Sequence, residues 1–121
     1  MKHYFKSLFL VFLAITFLIS CSLALSSIHA SMPNLYGKPD GVYRGEYSVR
    51  ATPVKVVLDV TVQNEHITKI NIIEHTASAI GKQAERIIPQ IISRQSLNVD
   101  TVSGATASSK GILKAIENAL Q

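Results

Sequence analysis

Asp100, Ser103, Gly104, Ala105, Thr106, Ser108 and Ser109 fall within ten residues, in the run "DTVSGATASS", directly ahead of an apolar pattern with helical spacing. Hydroxyl groups at the start of a helix have two uses. Their oxygens can accept hydrogen bonds from the first backbone amides, which have no partner inside the helix. The same amides can instead hold a phosphate, which the helix dipole favours by about 0.3–1 kcal/mol per charge at an exposed position. Gly104 lets the backbone approach a ligand closely, and Ala105 keeps the place uncrowded. The run is a phosphate site or a capped helix. A triphosphate loop that works with magnesium is excluded, because no Gly-Lys-Ser/Thr ending is present.

The elements that would hold this run can be read from period and punctuation. Asp40-Gly41 is a turn signal, and residues 42–49, "VYRGEYSV", alternate as a strand interrupted by Gly45. Residues 54–62, "VKVVLDVTV", are rich in β-branched side chains. A polar connection at residues 63–66 leads to "ITKINIIE", so an antiparallel meander is expected. From Ser78 the period changes. Ile80, Ala84, Ile87, Ile88, Ile91 and Ile92 follow helical spacing, with Pro89 either kinking one helix or opening a second. The last helix is expected from about Ala107 to Leu120, with Ile112, Leu113, Ile116 and Leu120 on one face. The expected class is α+β, a small antiparallel sheet of about three or more strands packed with two or three helices.

Ahead of this unit stands a different kind of sequence. Lys2 and Lys6 precede an uncharged apolar run, "LFLVFLAITFLI", which has the layout of an export signal. Three outcomes are open for it. "LISC" resembles a lipobox in which Cys21 would be lipidated, "IHA" offers a signal-peptidase site after Ala30, and the apolar stretch continues far enough to remain as a membrane anchor. Each places the rest of the chain outside the cytoplasmic membrane. The expected organisation is a signal, lipoprotein signal or anchor over residues 1–30, a linker over 31–39 with two prolines and a glycine, and a folded domain over 40–121.

Composition narrows the function. Cys21 is the single cysteine, so neither an internal disulfide nor a cysteine metal site is available. Setting aside Lys2 and Lys6 leaves ten basic against eight acidic residues, too weak and scattered a balance for nucleic-acid binding. His66 and His75 have no partner at ligand spacing, so no metal site is expected. His75 reads as a surface histidine at a strand end, although it could hydrogen-bond a flat ligand beside it, and Arg44 and Arg50 read as solvated strand charges. Tyr43 and Tyr47 share a strand face as sheet aromatics, although both could flank a flat ligand. Glu74 and Glu85 do not make an acid/base pair.

Residues 40–121 resemble the small FMN-binding domain found in the sodium-pumping NADH:quinone oxidoreductase, in the Rnf electron-transport complex and in many exported flavoproteins. The resemblance rests on "DGVYRGEY", "IIEHT", "IPQIISRQS" and "DTVSGATASS". It implies that Thr106 accepts FMN through a phosphoester, attached by a flavin transferase that uses FAD and magnesium. Asp100, Ser103, Gly104 and Ala105 would complete the recognition motif, with Ser108 beside the phosphate. The segment "TASAIG", from Thr76 to Gly81, stands where the family often has Thr-Pro-Gly, and "SVRAT" stands in place of a glycine-rich turn. Both segments, and Tyr43, are expected to border the flavin ring. The function implied is an exported, membrane-associated carrier that passes electrons from a membrane donor to an extracytoplasmic acceptor. Two alternatives stand beside it, a noncovalent FMN module or flavin reductase and a flavin-free structural or partner-binding domain.

Overall fold

The computed structural model describes residues 2–26 and 28–121, and the side chains of 3–15 and 28–121 among them. A helix, α1, runs over Lys2–Ser26 and carries the apolar run. The side chain of Cys21 lies outside the described residues, and the lipidation reading with it. Among the described residues no helix is long and apolar enough to cross a membrane.

The folded unit is a three-stranded antiparallel sheet in the order β1-β2-β3, formed by β1 (Gly41–Ser48), β2 (Lys55–Gln63) and β3 (His66–Thr76). β2 is central, and its inward side chains Val56, Leu58, Val60 and Val62 are fully buried. Asn64 and Glu65 make the β2–β3 connection, both with positive φ, as a two-residue hairpin turn matched to strand twist requires. The opposite sheet face is polar: Arg44 on β1 grips Asp59 on β2 through two hydrogen bonds of 2.7 and 2.8 Å. That contact holds the Asp59 carboxyl below its ordinary range and the Arg44 guanidinium above its own.

Two bulges set which residues of β3 face inward. Val62 pairs with Ile67 and Thr61 with Lys69, leaving Thr68 extra; Leu58 pairs with Ile72 and Val57 with Glu74, leaving Ile73 extra. Each added residue reverses the alternation of side chains. Beyond Ile73 it is His75, opposite Val56, that lies on the buried face, while Glu74 turns outward to Lys55. The reading of His75 as a surface histidine is therefore corrected, since its side chain is only 2% exposed.

A 3-10 helix (Gly81–Ile87) follows β3 and passes directly into α2 (Ile88–Arg94), so that Pro89 opens the second helix at its first turn. Ala84, Ile87 and Ile91 enter the core. Gln95 ends α2 in the left-handed conformation, and its side chain both accepts from Ile67 N and donates to Ile67 O at 2.8 Å, closing the start of β3. The chain then returns to α3 (Thr106–Leu120), which packs across β1 and β2. Gly45 does not interrupt β1. It is the point where α3 crosses, and a Cβ there would collide with the Ala115 carbonyl and reach within 2.7 Å of Ala119 N.

Residues 28–39, of which 31–39 are expected as a linker and 28–30 as the end of the leader, lie along the domain. Ile28, Ala30 and Met32 pack on the core, Leu35 is buried, Ser31 Oγ donates to Glu117 at 3.1 Å, and Lys38 Nζ donates to Leu120 O at 2.9 Å.

Candidate functional site

Thr106 is the first residue of α3, and the chain reaches it through a tight turn. Ala105 N donates to Val102 O at 2.9 Å, and between them Gly104 has φ +78°. A β-turn with positive φ at its third residue is type II, the turn that favours glycine there. The turn is braced from below by Ser109, whose buried hydroxyl accepts from Val102 N at 3.1 Å and donates to Ala105 O at 2.8 Å. Ser109 is thus committed to holding the turn and does not face a ligand.

The helix start is open. Ala105 occupies the N-cap position with φ −123° and ψ 33°, and among the described residues no side chain caps it. The amides of Thr106, Ala107 and Ser108 have no acceptor within the helix by its geometry. Of the two uses considered for the hydroxyl run, the helix cap is not the one this chain makes. Ser103 and Gly104 are exposed at the turn, Thr106 is half-buried, and Asp100 is exposed on the approach to it.

Residues 76–81 close one side. A Cβ built on Gly81 would sit 2.9 Å from Ser108 Oγ and 2.9 Å from Ala77 Cβ, so the 3-10 helix begins in direct contact with the first turn of α3. Ser78 Oγ accepts from Gly81 N at 3.1 Å, fixing that approach. Ile80 stands beside Gly104, 3.4 Å from where its Cβ would be, and is itself 57% exposed. Further along α3, Val49 and Val54 of the β1–β2 connection and Val56 of β2 pack at Gly111. Thr76 itself is exposed at the end of β3, its hydroxyl 3.4 Å from Glu74.

The fold thus brings together Ser103, Gly104, Ala105, Thr106, Ser108 and Gly81, with Thr76 and Asp100 at the edge. Tyr43 is not among them. Its hydroxyl donates to Pro39 O at 2.6 Å and Lys38 stands 4.4 Å over its ring, while Lys38 also reaches the carbonyl of Leu120. Tyr43 therefore belongs with the far end of α3, about 20 Å from Thr106 by the helical rise. His75, read from sequence as a surface residue that could hydrogen-bond the ligand, has a buried ring instead. Its Nδ1 lies 2.8 Å from Glu85 Oε1, and its buried Nε2 has no hydrogen-bond partner among the described residues.

Among the described residues no group of three or more His, Cys, Asp or Glu is placed to hold a metal ion. Comparison with curated proteins gives no match. The family model described as the FMN-binding domain matches residues 51–121, which include β2, β3, both sides of the turn at Gly104 and all of α3. FMN is the cofactor this match indicates. The residues present fit its phosphate end: an uncapped helix start, a glycine turn without side-chain bulk, and a hydroxyl at the first helical position. From the matched region and the turn and helix it contains, the chain belongs to the FMN-binding domain family.

Proposed function

We propose that the chain is an exported, membrane-associated electron carrier whose FMN is esterified to Thr106. The carrying observation is the position of Thr106, at the first residue of an uncapped helix and one residue after a glycine turn that keeps side chains away. Attachment would be a transfer from FAD. The Thr106 Oγ–phosphorus bond to FMN forms, the pyrophosphate bond of FAD breaks, AMP leaves, and the hydroxyl proton is lost to a base of the transferase, which also holds the magnesium. The amides of the first turn face the place where the phosphodiester would lie, and hydrogen bonds from them offset its charge.

FMN supplies one- and two-electron chemistry when bound. The protein's share is attachment and surroundings. Ser109 locks the turn, Gly81 allows the 3-10 helix to meet α3, and Ile80 offers an exposed apolar surface next to Gly104. Support for export comes from the basic and apolar pattern of the first thirty residues. A membrane donor and an extracytoplasmic acceptor follow from that location, with Cys21 as the lipid attachment where the lipobox is used.

The test is the intact mass of the chain co-expressed with a flavin transferase and supplied with magnesium. Wild type and Thr106→Ser are expected to gain the mass of FMN less water, and Thr106→Ala to gain none. Bound flavin that is released on denaturation, with no added mass, would replace the covalent reading by a noncovalent FMN module. Protein without flavin in every form would remove the carrier function.

A further inference from the structure

His75 is a buried side chain with one nitrogen bound and the other unused. Nδ1 meets Glu85 Oε1 at 2.8 Å. A carboxylate only accepts, so Nδ1 carries the proton and neutral imidazole leaves Nε2 as an acceptor. Nε2 is buried and has no partner among the described residues. An unmade hydrogen bond at a buried acceptor lowers stability, and folded proteins leave few of them.

The place of this nitrogen gives it a use. The extra residue Ile73 in β3 turns His75 onto the helix-facing side of the sheet, opposite Val56. Val56 packs at Gly111 of α3, and Glu85 lies one turn along the 3-10 helix from Gly81, which itself touches Ser108. The imidazole thus lies between the end of β3 and the 3-10 helix, whose first residue Gly81 meets the first turn of α3 beside Thr106. β-Bulges often re-aim a side chain beside a site in this way. Without the bulge, Glu74 would occupy the inner face and no acceptor of neutral charge would be there.

We propose that His75 Nε2 accepts a hydrogen bond from a ribityl hydroxyl of FMN, with Glu85 holding the imidazole in the tautomer that permits it. This rests on the reading that FMN is carried at Thr106. The phosphate has no proton to give at neutral pH, whereas the ribityl chain next to it offers hydroxyl donors. His75 is on that account a binding residue for the sugar-like part of the cofactor, and Glu85 is a positioning residue.

The test is nitrogen NMR of the full-length chain with 15N-labelled histidine, without flavin and after loading by a flavin transferase, the loading being checked by flavin absorbance. The chain has four histidines. His75 is assigned by its loss in His75→Gln or by elimination with His3, His29 and His66 variants. Its Nε2 signal is expected in the non-protonated region without flavin and to move upfield on loading. An unmoved signal in protein that carries FMN overturns the proposal while leaving the FMN reading intact. Loss of the FMN reading would show first, as absence of flavin from wild type, and would remove the proposal with it. Loading with a flavin whose phosphoalkyl chain has no hydroxyls is expected to abolish the shift, and a shift that persists assigns the donor to the ring and overturns the ribityl contact. As a second measurement, flavin-free His75→Phe is expected to melt no lower than wild type, because it removes an unpaired buried acceptor. A marked drop would make His75 a structural residue.

Discussion

Gly104 holds a backbone conformation that an alanine reaches only at a cost of about 1–2 kcal/mol, and its φ of +78° sets the direction in which the chain enters α3. Gly104→Ala is expected to lower stability by about that amount and to reduce the fraction of protein that gains FMN on co-expression with a transferase. Urea midpoints and intact mass read the two effects separately. Full loading at reduced stability would mean that the transferase does not need the turn in this conformation. The hydroxyl run itself was legible as a feature of a helix start, and the structure divides its members by role. Thr106 begins the uncapped helix, Ser108 lies under Gly81, and Ser109 braces the turn from within. Sequence could not make that division, because it depends on which side of α3 meets the 3-10 helix. The burial of His75 was illegible for a related reason. Strict alternation from Ile70 and Ile72 puts Glu74 inside and His75 outside, and only the bulge at Ile73 reverses them.

The strands and helices were readable where burial imposes a period, as in the valines of β2 and the isoleucines on either side of Pro89. Their boundaries fell within one or two residues of expectation, and the class, α+β, is as read. What the period could not convey is contact between elements. Gly45 has the look of a weak point in a strand, yet it is where the backbone of α3 packs directly on β1. The approach decides how far α3, and with it Thr106, lies from the sheet. Gly45→Ala would force a methyl group against the Ala115 carbonyl and Ala119, both backbone of a packed helix that cannot yield locally. The expected loss is about 1–3 kcal/mol from overpacking, seen as a lower urea midpoint, together with weaker protection of α3 amides from hydrogen exchange. Unchanged protection in α3 would show that the helix moves as a unit without loss of packing.

The molecule has two ends, and the chain uses them differently. Thr106, the turn at Gly104 and the start of the 3-10 helix lie at one end of α3. The segment that leads from α1 into the domain is fastened at the other, where Ser31 and Lys114 meet Glu117, Lys38 meets Leu120, Gly37 N donates to Glu65 and Asn64 N donates to Asp40. Prolines and a glycine made this segment read as loose, because its partners lie far along the chain and leave no local pattern. Glu117 is the centre of the fastening. It is buried, and its hydrogen bond from Lys114, aided by that from Ser31, holds its carboxyl below the usual 4.5 despite the cost of burial. A folded-state value below the unfolded one means that the charged form is favoured by folding. Its contribution is complete above 4.5, and is lost as the pH falls through 4.5 and then through the lower folded value. Glu117→Gln is therefore expected to be less stable than wild type at neutral pH by on the order of 1–3 kcal/mol, and the gap is expected to close in acid. Urea midpoints across that range, with limited proteolysis between residues 28 and 39, measure stability and fastening together. A gap that persists unchanged in acid would place the effect in packing instead of charge. With the gap closing and the segment becoming cleavable in acid while α3 stays protected, the fastening would be a separate unit from the core, and the end that holds Thr106 would remain formed without it.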